Sequence, residues 1–427
     1  PPSDSEVCAS AFIASFGARA YRRPLIAAES AGLLDVYRAG ALDATYADGI
    51  ELVLRALLQS AGFLYLTELG DAAPDHNGAI ALTGYELASS LSYLITGAPP
   101  DAALLEAAAA GALDSAEVRR SELQRLRREP EASEQLVHTL REWLELDRIE
   151  VTAKDTAFYP TYEQLGQPFA AESRAFIAAV LDEPAEHSND LTTLLSADWT
   201  VGDQMLGDFY ESKALADTHL LLPTRRGILN QGAFLAVHSH AYESSPVLRG
   251  AAIARRVACL VVPDPGTLGI NVVPPKSDPS LSTRQRFAAH DRDPSCAQCH
   301  KTIDSLGNAF EQYDGMGALR ESENDVPVDA TTTIAVGADF DGVYSDSNAL
   351  ALALAASPSV QECFARYLLR AATARSADST RAPDVSISED AFLSEWRALP
   401  EAERGNVMDI LSAFVSSSLF THRKASL

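Results

Sequence analysis

The stretch CAQCHKTIDSLGNAFEQYDGMG, residues 296–317, places two cysteines three residues apart and a histidine directly after the second. On a helical turn, residues three apart share a face. Cys296 and Cys299 can therefore each add a thiol to one vinyl group of a single porphyrin, and His300 follows as the proximal iron ligand. Two other readings compete. Zinc needs about four nitrogen or sulfur ligands in a tetrahedron, and the chain has no second CxxC and no HxxxH pair. A thioredoxin-like dithiol needs a βαβ context, whereas the flanking pattern is helical. Covalent attachment of one haem c at 296–300 is the reading that uses all three residues.

Working outward, the pattern stays helical on both sides. CASAFIASFGARA (8–20) has apolar residues at three- and four-residue intervals and stops before Pro24, which cannot continue a helix. YADGIELVLRALLQSAGFLYLTE (46–68) is a second apolar-faced helix. At Thr83 a start signal is explicit: its hydroxyl can cap the backbone, Glu86 can reach back, and Leu82 and Leu87 fit a hydrophobic staple. Three short helices follow over 101–148, with Trp143 expected in the core, and helix is expected to continue through 159–212. The Pro- and Gly-rich stretch 262–280 reads as an extended connector, and TRQRFAAH (283–290) as a helix leading into the motif. TTTIAVGADFDGVYS (331–345) alternates as a short hairpin, and its ADFDGVYSD part lacks calcium-loop spacing and reads as a turn. The last 80 or so residues are helical again. The expected fold class is mainly α: a multi-subdomain helical protein with a c-type haem-binding domain and a short β-hairpin after it. Its expected parts are an N-terminal helical domain (1–75), a second (76–150), a helical continuation (151–215), the haem-binding domain (216–325) and a C-terminal helical domain (326–427).

Charge narrows the partners. The 427 residues carry 34 Lys and Arg against 59 Asp and Glu, a net charge of −25. Such a surface lacks the basic patch that nucleic acid or an anionic membrane requires, and suits a cationic partner. No run approaches the ~20 apolar residues of a membrane span. The opening PPSDSEVCAS reads as the start of a mature or trimmed product.

An ordered series of segments resembles the multidomain c-type cytochromes of unknown function typical of planctomycetes and common in myxobacteria. FGARAYRRPL with LLQSAGFLYLTE resembles one family domain, and LTGYELASSLSYLITGAPPDAALLEAAAAGAL with Trp143-Leu144 a second. RRGILNQGAFLAVHSHAYESSPVLRG, the connector and TRQRFAAHDRDPSCAQCHKTIDSLGNAFEQYDGMGALR resemble the third, haem-bearing domain. FDGVYSDSNALALALAASPSVQECFARYLLRAATAR with SSSLFTHRK resembles the fourth. Three departures stand out: Asp304-Ser305 where the family reads Asp-Pro, Ser90 where it has Arg, and ATAR (372–375) where it reads ALGR. The first leaves open which group orients the proximal imidazole, because a backbone carbonyl near the family's proline is the expected acceptor. The resemblance also implies a further N-terminal domain that this chain lacks.

The resemblance frames the remaining candidates. For the distal iron position, His422 stands where relatives carry methionine, and Met316 lies close to the motif in sequence. His290 is expected in a structural or propionate-contacting role, and Arg249 as a propionate partner. Arg19, Arg22 and Arg23 are read as ordinary ion-pair formers, and His238 and His240 as hydrogen-bonding residues rather than metal ligands. Cys259 and Cys363 fall where relatives with extra cysteines place them, which implies a disulfide and leaves Cys8 over. The implied function is electron transfer by an extracytoplasmic monohaem cytochrome, periplasmic or at the cell surface. Its partner is a redox protein or neighbouring haem subunits, with homo-oligomers open. An oxidase or peroxidase with an open distal site, and a cell-surface scaffold carrying haem, are the alternatives.

Overall fold

The computed structural model describes residues 5–76, 78–182, 190–214, 219–263, 266, 278, 280–288, 294–373 and 386–424. The protein is mainly α, with sheets of only two or three very short strands. Its contacts divide it into two compact units, each drawing on the C-terminal helices. One comprises Pro1–Gln135, Asp384–Glu395 and Ser412–Leu427; the other comprises Leu136–Pro383 and Trp396–Leu411.

In the first unit, helices Ser5–Tyr21, Ala27–Ala41 and Tyr46–Leu58 close around Ala9, Ile13, Leu33, Tyr37, Val53 and Leu57. Their ends follow local chemistry. Arg22 adopts φ 58° after the first helix and donates to the carbonyls of Gly62 (2.9 Å) and Tyr65 (2.7 Å), while Arg23 pairs with Glu29 at 2.8 Å. Thr45 caps the third helix and Asp48 reciprocates. The capping box at Thr83 and Glu86 opens helix Gly84–Thr96 as its sequence predicts, and Gly97 ends it at φ +63°. Strand Ala79–Ala81 pairs antiparallel with His422–Lys424.

The second unit is built on helix Tyr162–Asp182, whose Phe169, Phe176 and Ile177 are fully buried. Helix was expected to continue through 159–212, and the structure corrects this. Trp199–Val201 and Lys213–Ala214 flank His219–Leu221 in a three-stranded antiparallel sheet, with helix Gln204–Phe209 between them. Glu211, at φ 53°, turns the chain from that helix into the strand. The hairpin expected after the motif is present, Thr332–Ile334 against Gly342–Tyr344. Asp341 accepts the amides of Val336 and Gly337, both at 2.9 Å, so ADFD (338–341) lies in the hairpin's turn and Gly342–Tyr344 is its second strand. Trp143 is buried as expected, packs on Phe364 with ring centroids 4.9 Å apart, and donates Nε1–H to the Arg256 carbonyl at 2.7 Å. Cys259 and Cys363 form a disulfide, Cα–Cα 5.5 Å, that fastens the loop before the connector to helix Pro358–Ala372. Among the described residues no helix is long and apolar enough to cross a membrane.

Candidate functional site

The cysteine motif lies on helix Pro294–Asn308, so the three-residue spacing does fall on helical turns. Cys299 is a half-buried free thiol. The Cys296 side chain and all of His290 lie outside the described residues. One turn beyond His300 sits Asp304, and the imidazole Nδ1 is 3.1 Å from each of its carboxylate oxygens. An ionised carboxylate has only lone pairs to offer, so Nδ1 carries the hydrogen. That fixes the tautomer and leaves the lone pair on Nε2, the arrangement a metal-ligating histidine needs. Asp304 is only 5% exposed, which strengthens the bond electrostatically. The expected backbone carbonyl is thus replaced by a side chain of the same helix. A His-x-x-x-Asp spacing on a helix was the sequence signal that could have found it.

What holds this helix is a close crossing with helix Pro246–Ala252. A Cβ on Gly250 would meet the Ile303 carbonyl oxygen at 1.8 Å, and one on Gly307 would meet that of Pro246 at 1.8 Å. The two backbones touch at both glycines, and no other residue fits either place. On the far side, the Thr332 hydroxyl from the hairpin donates to the Ser305 carbonyl at 2.6 Å.

The turn after the helix is pinned from within. Arg249, fully buried, gives Nη1 to the carbonyls of Phe310 (3.0 Å) and Tyr313 (2.9 Å), and Nη2 to those of Leu235 and Asp314. Burial pushes its pKa down to about 10, with Glu311 opposing. The residue expected at a propionate thus braces this turn. Asp314 accepts the amides of Met316, Gly317 and Ala318 at 2.8–2.9 Å, and Gly317 takes φ +97°. Met316 is buried, with the Thr161 hydroxyl 3.8 Å from its sulfur. It belongs to the same unit as His300. His422 belongs to the other unit, where it is exposed on its strand with Nδ1 2.8 Å from the Thr421 hydroxyl.

Charged groups surround the same turn. Glu311, 2% exposed, accepts from Ser244 (3.1 Å) and Arg320 (3.0 Å), and burial raises its pKa. Arg286 donates through Nη2 to Glu243 and to the Thr283 hydroxyl, while its Nε and Nη1 are buried without a partner. His238 caps its helix, and burial pushes its pKa down to about 4. The ring is therefore neutral, with Nε2 3.0 Å from the Leu144 carbonyl. Among the described residues no three His, Cys, Asp or Glu side chains gather as a metal cage. A haem site needs none, since one histidine and two thioethers can hold the group.

Three family models match in order along the chain. PSD5, a protein of unknown function (DUF1595), matches residues 8–68. PSD4, a protein of unknown function (DUF1592), matches 82–211, and PSCyt3, a protein of unknown function (DUF1588), matches 225–323. The last contains the CAQCH motif, Asp304, Arg249 and both glycines of the crossing. No curated protein and no solved structure matches the chain.

Proposed function

This chain belongs to the planctomycete-type multidomain cytochromes c of unknown function, and from that premise we propose that it is an extracytoplasmic monohaem electron-transfer protein. Cys296 and Cys299 would hold the haem through thioether bonds, and His300 would bind its iron. The group, when bound, supplies a reversible one-electron change at the metal. The chain's own residues do the rest. Asp304 holds the imidazole at Nδ1 and raises its basicity. The glycine crossing fixes the helix that carries all three attachment residues. The Cys259–Cys363 disulfide suits an oxidising compartment, which supports a place outside the cytoplasm.

One observation carries this reading: a histidine directly after CxxC whose Nδ1 is held by a buried carboxylate, so that Nε2 is the metal-binding nitrogen. The test is expression of the full chain with a c-type haem maturation system. The denatured protein should keep its Soret absorbance and gain the mass of one haem. Bare polypeptide mass would end the cytochrome reading. A methionine-to-iron charge-transfer band that disappears in Met316→Ala would assign the distal ligand to that residue, and a bis-histidine spectrum lost in His422→Ala would assign it to His422. A ferric high-spin spectrum that shifts with cyanide would replace electron transfer with an open-site oxidase or peroxidase.

A further inference from the structure

Exposed apolar side chains are scattered singly over most of this protein, as on an ordinary folded surface; Val151, Phe158, Tyr242 and Val261 are examples. One stretch of the first unit breaks the pattern. Phe63, Leu64, Tyr65 and Leu66 are four consecutive large apolar residues, flanked by Leu58 and Leu69, and all six are between 38% and 72% exposed. Among the described residues no other two exposed large apolar residues are adjacent in sequence. Four in a row are a liability unless they serve a contact.

The fold holds this run in place. Phe63 and Leu64 end the single-turn helix Ala61–Leu64, and the chain leaves it extended at Tyr65, φ −120° and ψ 146°. The buried Arg22 guanidinium donates to the carbonyls of Gly62 (2.9 Å), Phe63 (3.4 Å) and Tyr65 (2.7 Å). Farther along, the Glu86 carboxylate accepts the amides of Leu69 (2.7 Å) and Gly70 (3.1 Å). Both clamps grip backbone, so the side chains stay outside and a partner finds the segment already ordered.

Charge and area choose the occupant. Residues 56–70 hold one charged side chain, Glu68, and Arg423 neutralises it through Nε (2.6 Å) and Nη2 (2.5 Å). The patch therefore offers a cationic redox partner nothing to pair with, whereas an apolar face fits a copy of itself. At roughly 200 Å² for a large side chain, the six residues leave about 650 Å² in solvent. A stable interface buries about 800 Å² per partner. We propose that residues 58–69 form a two-fold contact between two copies of this chain, with Tyr65 as its aromatic anchor. The assignment stands independently of the haem reading.

Sedimentation equilibrium of the full chain tests it, as wild type, Tyr65→Glu, Leu69→Glu and Val151→Glu. Wild type should dimerise at micromolar concentration. A two-fold contact holds each substitution twice, so Tyr65→Glu and Leu69→Glu should each weaken the dimer about a hundredfold or more. Val151 is still more exposed and lies outside the patch, so Val151→Glu should leave the dimer as it is. Raising salt from about 0.1 M to about 1 M should tighten the wild-type dimer, because it screens the repulsion between two chains of net charge −25 and leaves the apolar contact intact. Wild type that stays monomeric overturns the proposal. So does a dimer that both patch variants leave unchanged, that Val151→Glu breaks equally, or that salt dissolves. Binding of a monomer to phosphatidylcholine vesicles, lost in Tyr65→Glu, would also overturn it and give the patch to a lipid surface. If the glutamate variants do not accumulate, the milder Tyr65→Ser, which keeps the backbone that Arg22 grips, decides by the same measurement.

Discussion

At the scale of single residues, buried carboxylates are the groups whose environment departs most from water. Asp304 is one: its charge is held against the His300 ring. A carboxylate on Nδ1 enriches the imidazole and favours the ferric state, so Asp304→Asn should raise the reduction potential of the holoprotein, about 59 mV for each tenfold loss of ferric preference. A redox titration in which the variant overlays wild type would refute that role. Glu172 is another. It is fully buried, accepting from the hydroxyls of Thr200 (2.9 Å) and Tyr210 (2.7 Å), and burial pushes its pKa up to about 7 from the ordinary 4.5. The folded chain therefore keeps a proton that the unfolded chain has released. Glu172 contributes stability that is fully present below about pH 4.5 and lost as pH rises through about 7, on the order of 3 kcal/mol. His238 acts oppositely: its neutral ring contributes stability that is lost as pH falls from 6.5 to about 4. Wild type alone would mix the two. Denaturant unfolding of wild type and Glu172→Gln across pH 4.5–7.5 isolates the first, and parallel stability curves would refute it.

Elements add a second kind of constraint, backbone against backbone. Glycine inside a helix normally costs about 1 kcal/mol relative to alanine. Gly166, in helix Tyr162–Asp182, has nothing within 4 Å of a built Cβ, so Gly166→Ala should stabilise by about 0.5–1 kcal/mol. Gly307 is also helical, but its Cβ would meet the Pro246 oxygen at 1.8 Å and carbon at 2.5 Å. Gly307→Ala should destabilise by about 2 kcal/mol or more, as overpacking outweighs propensity, and should loosen the helix that carries the motif. Thermal melts of the two variants moving in the same direction would contradict this contrast. The pair also shows what the sequence could and could not tell. The Thr83–Glu86 capping box, the apolar faces of the first helices and the 332–344 hairpin are local signals, and the structure contains each of them. The pairing of Ala79–Ala81 with His422–Lys424 and the crossing at Gly250 and Gly307 join segments distant in sequence, and nothing in either segment names its partner. The site divides the same way: CAQCH is written in one pentapeptide, whereas the unpartnered donors of Arg286 emerge only once its neighbours are packed.

For the whole molecule the governing quantity is charge. Under the proposed function the chain would meet its redox partner through solvent, and a net charge of −25 sets the field for that meeting. Arg119, Arg141, Arg225, Arg249 and Arg286 are buried and so add little positive charge to the surface. Electron exchange with a cationic mediator such as a ruthenium hexaammine should therefore outpace exchange with an anionic one such as ferricyanide, after correction for driving force. Stopped-flow rates measured from 10 mM to 1 M salt should converge as the screening length falls from about 30 Å to about 3 Å. Equal rates for both mediators at low salt would mean that the haem edge is screened from the bulk charge, and steering by a cationic partner would then be ruled out. A preference for the cation that persists undiminished at 1 M would instead locate the discrimination in contacts at the haem edge, because only charges within a few ångströms escape that screening.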